Sequence, residues 1–510
     1  MSGKQVVSME KSHSRNDATR DEGETSSGAT EAAQTTHNIS IQATSLEERF
    51  KTVWEAGENA KNQSSTPKIQ KVIFVLRDHE NFEKYFEPRV VSLGPIHHGK
   101  EKYQLGEKYK LQLTYEFVNS SGIDINILYK KIEENIKELR DCFEEEVTKP
   151  YENDEALAWL LFVDGCAILQ YIYCATNSKF KELNIKTDSV TFGHQDLFLL
   201  ENQLPYRLLK WLMSLSKMEK ELRDAIQLYI ERHDMIPEDQ KSRCCGLNWL
   251  SLTLWPRSKR QLVEGDNERT TMNREPIHLL DLLRTSLLVN HDPQVPLRKY
   301  QDWQSYRNVQ ELKAAGIHLK RSNNSCLSNI SFSRRCLCFG YLSLPPITVD
   351  DSTRPKFLNL IAYEMCLDFK NNFEITSYIS FLDSLIDEAK DVKELRKARV
   401  LYNFLGSDEE VAQLFNEIGT DLVPNPETYK DVKGQMQEYY DNKCMTWIAQ
   451  VIHDHFSSPW TILAFCGVLL GLGLTAAQTW FAVDSSRPGP CDHLCKNLTQ
   501  KLHMLKLKFY

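Results

Sequence analysis

Apolar residues recur at helical spacing along most of this chain, and the pattern predicts a mainly α-helical protein. In the stretch 205–218, Leu208, Leu209, Leu212 and Leu215 fall on one helix face, as in a helix that packs against a core. The predicted fold is a large helical body with a few short β-strands, plus one C-terminal transmembrane helix. Comparable core-facing runs lie at 278–290, 357–370 and 407–419, the last with a Ser407/Glu410 capping-box pattern and a stop at Gly419.

Three segments have a β-like pattern instead. KVIFVL (71–76) and RVVSL (89–93) are short runs of branched apolar residues separated by a polar segment. Residues 326–349 combine alternation with aromatic positions and contain Pro345 and Pro346. Such runs predict short strands, and we expect ordered structure of the body to begin near Ile69.

The most apolar segment lies near the C-terminus. From Trp460 to Val483 the chain runs for 24 residues without a formal charge. At 1.5 Å per residue such a helix is about 36 Å long, enough to cross a hydrocarbon core of about 30 Å. Trp480 and Phe481 lie near its end, where aromatic rings favour the membrane interface. The pattern predicts a membrane-spanning helix with Trp460 and Val483 at its ends.

A second apolar run, residues 158–175, has a different interpretation. Asp164 lies in its middle, next to Gly165, and a carboxylate at a bilayer centre costs about 2.5–3.5 kcal/mol on insertion scales. We therefore predict a central helix buried by protein on all sides, with Asp164 paired or capping another group.

Polarity divides the chain into four parts. Residues 1–66 are poor in apolar residues and predict a disordered segment, with a short helix from Ser45 and a linker over 59–68. Residues 67–456 form the α-rich body, in which the polar stretch 234–275 predicts an irregular insertion. The span, 460–483, and a basic tail, 484–510, complete the chain.

Composition and charge narrow the function classes. Of the 510 residues 41% are hydrophobic, and 62 basic residues face 70 acidic ones, a formal net charge of −8. This balance excludes a globally basic protein that coats nucleic acid, and we expect no nucleic-acid partner. The 13 cysteines are scattered, and no apolar signal-type run occurs near the N-terminus. Both features favour a cytosolic, reduced body.

Several chemical motifs are only partly present. Residues 94–100 (GPIHHGK) match part of a phosphate-binding loop, but Glu101 stands where Ser or Thr is needed, so we interpret the run as a turn. His97 and His98, and likewise His453 and His455, are too close in sequence to face one another on a helix. In the tail, Cys491, His493 and Cys495 lack a fourth ligand at ordinary spacing. We predict no catalytic residue, cofactor or metal site.

The run ENQLP (201–205) is the most unusual polar cluster. Glu201, Asn202 and Gln203, with Asp196 upstream, are embedded among leucines and must find hydrogen bonds or reach water. They form either a functional pocket or, as we favour, a set of side chains that satisfy helix ends at a helix–turn–helix junction.

The order of several such segments resembles one plant family, called domain of unknown function 247, over about residues 69–483. Departures from the family pattern are small: Ile96 stands where an aromatic residue is usual, and Tyr363 and Met365 replace residues of a segment that usually ends Phe-Glu-Gln. The 27 residues after Val483 are a larger departure. The segments that carry the resemblance are KVIFVLRDHENFEKYFEPRVVSLGPIHHGK, FVDGCAIL, QDLFLLENQLPY, HLLDLLR, ELKAAGI, NLIAYEM, TSYISFLDSLI, FLGSDEEVAQLFNEI and SPWTILAFCGVLLGLGLTAAQT.

The resemblance implies little chemistry. Members of the family are described as membrane-associated, and no catalytic residue is established for them. Some grass members are implicated in self-incompatibility, which would make them recognition proteins. The resemblance therefore implies a helical, membrane-associated protein and supplies no catalytic residue to carry over.

Two hypotheses for function follow. The first is a membrane-anchored interaction protein, at the plasma membrane or an endomembrane, that binds the bilayer and protein partners in recognition or signalling. The second is an uncharacterised hydrolase or transferase with a pocket near Asp164, Glu201, His97 and His98. A shared concave site with strongly shifted pKa values would favour the enzyme, and burial in individually satisfied pairs would favour the binding protein.

Two further expectations concern the span. By the positive-inside rule, the basic tail favours an orientation with the tail in the cytosol. A body of this size without a signal sequence favours the opposite orientation, with the body in the cytosol and the tail in the lumen, and we prefer this one. Asn497 is then a luminal glycosylation site. Gly467 and Gly471 lie four residues apart on one helix face, a spacing that permits close contact between two copies. Two interpretations stay open: a homodimer through these glycines, or glycines that are simply common in membrane spans.

Overall fold

The computed structural model describes residues 46–62, 67–78, 80–183, 185, 187–237, 274–288, 308–335, 339–420, 422–441, 459–485 and 489–506. The chain divides into two units, Met1–Ser64 and Ser65–Tyr510. In the first unit, helix α1 covers Leu46–Asn62, so the predicted short helix is present and the predicted linker over 59–68 is helical as far as Asn62. Residues 1–45, predicted to be disordered, and most of the predicted insertion at 234–275 lie outside the described residues.

The second unit is mainly helical, as predicted. Three single 3₁₀ turns, Glu101–Tyr103, Phe180–Leu183 and Leu200–Asn202, connect helices. Its described helices are α2 (Phe74–Arg77), α3 (Phe82–Phe86), α4 (Gln104–Ser121), α5 (Ile125–Glu133), α6 (Ile136–Arg140), α7 (Glu145–Thr148), α8 (Asp154–Asn177), α9 (Thr187–Asp196), α10 (Tyr206–Leu215), α11 (Glu219–His233), α12 (Leu279–Leu288), α13 (Val309–Ala314), α14 (Thr353–Glu364), α15 (Glu374–Asp383), α16 (Ala389–Lys397), α17 (Asp408–Gly419), α18 (Lys430–Tyr440), α19 (Pro459–Ser485) and α20 (Pro490–Lys506).

Helix α8 is the centre of the body. Leu157, Phe162 and Ile172 on its different faces are all fully buried, and α4, α5, α10 and α11 pack around it. Gly165 permits the closest approach, because a Cβ atom there would lie only 2.7 Å from a methyl carbon of Leu212. The prediction of a protein-buried central helix is confirmed.

Short strands form two small sheets. Strands β1 (Ile317–Arg321), β2 (Ser331–Arg335) and β3 (Phe339–Leu344) have the order β1-β3-β2, with β1 parallel and β2 antiparallel to β3. Strands β4 (Ile347–Val349) and β5 (Leu401–Asn403) pair in parallel. The β excursion predicted over 326–349 is therefore present, and β1 and β5 complete it from segments that the sequence pattern did not identify.

Two predicted strands are absent, and one predicted helix is displaced. In 71–76, Phe74 begins the short helix α2, and 89–93 has a bend at Arg89 and Val90 and pairs with no strand among the described residues. The helix predicted over 357–370 instead covers Thr353–Glu364. It ends there because the side-chain amide of Asn371 donates to the carbonyl of Glu364, at 2.9 Å, and turns the chain towards α15.

Candidate functional site

Asp164 is paired in the core, as predicted. Its Oδ1 lies 2.5 Å from Nζ of Lys110, and its Oδ2 accepts the N–H of Gly94 at 2.8 Å. Lys110 also donates to the carbonyl of Ser92 at 2.9 Å. Burial by itself would lower the pKa of the Lys110 ammonium, but the Asp164 carboxylate raises that pKa above its ordinary value. Helices α8 and α4 are thus joined by a buried ion pair that also holds the segment preceding α4.

The sequence analysis did not identify Lys110 as the partner of Asp164, although its position in an apolar stripe indicated that it is buried. The buried residues of α4 include Gly106, Lys110, Leu113, Thr114 and Phe117, and these recur at helical spacing on one face. A lysine within an apolar stripe requires a buried partner, and the carboxylate predicted to lie in the core was the available one.

Glu201, the first residue of the ENQLP run, holds another part of the same N-terminal segment. Its Oε1 accepts the N–H of Val72 at 2.8 Å and also bonds the guanidinium of Arg77. Its Oε2 lies 3.1 Å from Nε2 of His97, which is buried, and Nδ1 of His97 lies 3.0 Å from Nζ of Lys100. This carboxylate is therefore bonded by a backbone donor and a guanidinium, and it lies beside an imidazole whose Nε2 has no hydrogen-bond partner among the described residues.

Asp196 and Asn202 hold residues 89–93 through side-chain hydrogen bonds to their backbone. The Asp196 carboxylate accepts the N–H groups of Arg89, Val90 and Val91 at 2.8–2.9 Å. Asn202 accepts the N–H of Leu93 at 2.6 Å and donates to the carbonyl of Val91 at 3.0 Å. Buried backbone groups that no strand pairs are thus satisfied by side chains.

Gln203 ties the same run to α12. Its amide nitrogen donates to the carbonyls of Leu197 and Leu199, and its oxygen accepts the N–H of Leu280 at 3.1 Å. The favoured interpretation of ENQLP is therefore right about a structural role and partly right about the target. Two of the bonds reach helix ends: Gln203 accepts the N–H of Leu280 in the first turn of α12, and the side-chain amide of Asn202 donates to the carbonyl of Asp196, the last residue of α9, at 2.9 Å. The other bonds satisfy loops and residues 89–93.

The four residues of the enzyme hypothesis are not gathered around one cavity. Asp164 and Glu201 contact different parts of the segment 72–97, and His97 in that segment lies beside Glu201. His98 is exposed near the ring of Tyr151. A cavity inside the body measures about 30 Å³, far below the roughly 300–1,000 Å³ of ordinary ligand pockets. Apolar side chains such as Val91, Leu113 and Ile168 dominate its lining, and the four residues do not contribute to it.

The partial motifs have structural explanations where the structure describes them. The loop 94–100 follows no strand, and its Gly94 N–H bonds the Asp164 carboxylate. Cys491, His493 and Cys495 lie on helix α20. Within the described ranges, no group of three or more His, Cys, Asp or Glu side chains could hold a metal ion. His453 and His455 lie outside the described residues.

The predicted span coincides with a long apolar helix. Helix α19 covers Pro459–Ser485, and within it Leu463–Val483 is long and apolar enough to cross a membrane. Trp460 and Val483, the predicted ends, are both exposed. A Cβ atom added at Gly467 or Gly471 would meet no other atom within 4 Å. Beyond α19 the tail forms helix α20, which the sequence pattern did not predict.

Comparison with known proteins places the chain in a family. A family model described as a plant protein of unknown function, DUF247, matches residues 69–474. The UPF0481 protein At3g47200 of Arabidopsis thaliana is 26% identical over 436 residues, which cover 79% of this chain and 83% of that protein. The putative UPF0481 protein At3g02645 of the same plant is 21% identical over 488 residues, which cover 79% and 88% of the two chains. No solved structure matches the chain. The resemblance inferred from the motifs is confirmed, and the chain belongs to the DUF247 family of plant proteins.

Proposed function

We propose that this protein is a membrane-anchored interaction protein that acts in recognition or signalling. In this proposal α19 holds the protein at the plasma membrane or an endomembrane, and the helical body lies in the cytosol and binds protein partners. The observation that carries the proposal is the contrast between two helices of similar apolar length, α8 and α19.

Both helices are long and apolar enough to cross a bilayer, but their surroundings differ. In α8, 89% of the most apolar window is buried inside the protein, whereas in α19 none of it is. Burial of a large apolar side chain is worth about 1.5–3 kcal/mol. A helix with many such side chains in water is therefore unfavourable by on the order of 10 kcal/mol, and a bilayer would remove that cost. The exposed side chains of α19 include Leu463, Phe465, Val468, Leu469, Leu470, Leu472, Leu474 and Phe481.

The contacts of the buried carboxylates in the body support a binding role for the protein rather than catalysis by those carboxylates. Asp164, Asp196 and Glu201 each hold backbone N–H groups of the segment 72–94. A catalytic carboxylate must reach a substrate, and these carboxylates already have several protein donors each. Their arrangement builds a rigid body, and a rigid body suits the presentation of a surface to a partner.

The anchor is tested by charges placed inside the span. Each lysine near the middle of a membrane helix costs about 2.5–3.5 kcal/mol, so Leu469→Lys, Leu470→Lys and Leu472→Lys together should prevent insertion. We expect this triple variant to be released from membranes by alkaline carbonate. The matched variant with valine at the same three positions should stay in the pellet. Retention of both variants in the pellet would refute the anchor.

The partner is tested by purification from native membranes in a mild detergent. We expect the full chain to elute as a complex that contains another protein, and the chain truncated after residue 458 to retain that protein. A full chain that elutes as a free monomer would contradict the interaction role.

Self-association is a separate part of the proposal. Gly467→Leu with Gly471→Leu should abolish a homodimer of the span, because close approach of two backbones requires small residues. The single chain has room for both leucines, since no atom lies within 4 Å of a Cβ at either position. Equal dimerisation before and after the change, in a membrane two-hybrid assay, would exclude this interface.

A further inference from the structure

Helix α20, Pro490–Lys506, carries an apolar stripe along one face. Leu494, Leu498, Leu502 and Leu505 follow one another at intervals of four, four and three residues, so they share a face of the helix. Each of these four leucines is between 54% and 63% exposed. A continuous row of exposed leucines indicates a surface that binds lipid or the apolar surface of another protein.

The opposite face of α20 is polar, and the helix is basic. His493, Gln500 and His503 lie away from the stripe and are exposed. The sequence of the helix contains three lysines and one aspartate, and among the lysines Lys501 borders the stripe and is exposed. An apolar face combined with a basic polar face is the composition of a helix that lies in a membrane interface.

The chain length between α19 and α20 limits where α20 can be. Residues 486–489 separate the two helices, and four residues span at most about 14 Å. The aromatic residues Trp480 and Phe481 lie near the end of α19, as at the edge of a hydrocarbon core. If α19 crosses a bilayer, the first turn of α20 is therefore held within about 14 Å of the lipid headgroups.

We propose that α20 lies flat on the bilayer that α19 crosses, with its leucine stripe at the boundary of headgroups and acyl chains and its lysines beside lipid phosphates. The inference rests on the proposed anchor and adds a second membrane contact to it. Tethering favours lipid over a diffusing protein, because the connection to α19 keeps the stripe at a high local concentration next to the bilayer.

The test uses the full chain in vesicles with a photo-activated cross-linking amino acid at one position at a time. Leu470, in the middle of α19, reports on the anchor. Leu498 reports on the stripe, and Gln500 on the opposite face of α20. Adducts are identified by mass spectrometry as lipid or protein. We expect lipid adducts from positions 470 and 498 and few from position 500.

The outcomes separate the anchor from the inference. Lipid adducts at 470 but none at 498, equal adducts at 498 and 500, or protein adducts at 498 would each overturn the surface helix while the anchor stands. Absence of lipid adducts at 470 would overturn the anchor and the inference together.

A second arm tests the role of the lysines. Vesicles of phosphatidylcholine are compared with vesicles that also contain phosphatidylserine. Each lysine near an anionic surface strengthens binding about fivefold, so the adduct yield at 498 should rise with phosphatidylserine. Lys496→Glu with Lys501→Glu should remove that rise, and Lys496→Arg with Lys501→Arg should keep it. An unchanged yield with phosphatidylserine would contradict the contact between these lysines and anionic headgroups.

Discussion

Single buried carboxylates hold neighbouring elements together in this protein. Glu364, at the end of α14, accepts the N–H groups of Ile375 and Thr376 in the first turn of α15, at 3.1 and 2.9 Å. Arg284 from α12 contacts the same carboxylate at 2.7 Å. One side chain thus satisfies free donors at a helix start and neutralises a buried guanidinium. Asp164, Asp196 and Glu201 likewise each accept backbone N–H groups from another segment of the chain.

Replacement of Asp164 by Asn should strongly destabilise the fold. The change removes the buried one of the two carboxylates that pair with Lys110 and leaves Glu107, at 2.7 Å, as the other, and the loss of a buried pair costs up to about 3–5 kcal/mol. The double variant Asp164→Leu with Lys110→Met removes both charges and should be much closer to the wild type. Urea unfolding of the full chain in detergent micelles measures both. A single variant as stable as the wild type would show that the pair is not ionised in the core.

His278 should contribute a loss of stability in mild acid. It is fully buried, its Nδ1 accepts the N–H of Asp281 at 3.1 Å, and burial lowers its pKa to about 4 from an ordinary value of 6.5. The unfolded state therefore binds more protons between pH 6.5 and pH 4. Stability that is present above pH 6.5 is lost as the pH falls to 4, by on the order of 3 kcal/mol for this group.

The variant His278→Asn keeps an acceptor for Asp281 and should flatten the dependence of melting temperature on pH in this range. The matched control is His98→Asn, which changes an exposed side chain and should leave the slope unchanged. An identical slope in the wild type and His278→Asn would contradict the neutral, buried state of this imidazole.

At the scale of elements, the position of residues 89–93, which precede α4, depends on side chains that are distant in the sequence. Residues 89–93 bond to Asp196 and Asn202, which are more than 100 positions away in the chain. The segment is thus fixed without strand pairing, and its position depends on the ENQLP run.

Asp196→Asn should release this segment. An amide replaces one acceptor oxygen with a donor, so at least one of the N–H groups of Arg89, Val90 and Val91 loses its partner and faces another donor, which weakens the hold on all three residues. We expect hydrogen exchange at these three amides to accelerate by one to two orders of magnitude, in line with about 1–3 kcal/mol for unsatisfied buried donors. Glu133→Gln, at an exposed position of α5, is the control. Unchanged protection of the three amides in Asp196→Asn would refute this role.

Sequence patterns predicted the elements whose determinants are local. Helix α17 begins at Asp408 because Ser407 accepts the N–H of Glu410 at 3.2 Å, as the pattern indicates. Gly419 is its last helical residue rather than the residue after it. A Cβ atom there would lie 2.3 Å from Asp383, so this glycine is explained by packing, which a local pattern does not contain.

Sequence patterns failed where the partners are remote. KVIFVL and RVVSL have strand-like composition, but Glu201, Asp196 and Asn202 take the hydrogen bonds that a neighbouring strand would supply. Strand β1 was missed because Ile317–Arg321 is short and only its pairing with β3 makes it a strand. For the candidate site, the pairing of Asp164 was predicted from burial alone, but its partner Lys110 required the packing of α4 against α8.

At the scale of the whole molecule, the protein has a helical body and one long apolar helix, α19, whose apolar window is not buried by protein. Cys166, Cys174 and Cys366 are buried as free thiols in the body, which is the state of cysteines in a reducing compartment. This supports the proposal that the body faces the cytosol and that the segment after α19 lies on the other side of the membrane.

N-glycosylation distinguishes a cytosolic body from a luminal one, because only acceptors on the luminal side are modified. Asn119, followed by Ser120 and Ser121, is an exposed acceptor on the body, and Asn497, followed by Leu498 and Thr499, is an exposed acceptor in α20. With a cytosolic body, we expect a mobility shift on treatment with an N-glycosidase that is lost in Asn497→Gln and kept in Asn119→Gln. A shift that persists in Asn497→Gln would place the body in the lumen, because the body carries further acceptors such as Asn323 and Asn329.

The central claim is that the C-terminal part of the chain holds the protein in a membrane through α19, and removal of residues 460–510, which takes away α19 and α20 together, tests it most directly. The full chain and the truncated chain are expressed at equal levels, and their membranes are extracted with alkaline carbonate. The account predicts that the full chain stays in the pellet and the truncated chain is soluble and folded, because α8 is enclosed by the body. A truncated chain that still resists extraction would contradict both the single anchor and the buried state of α8.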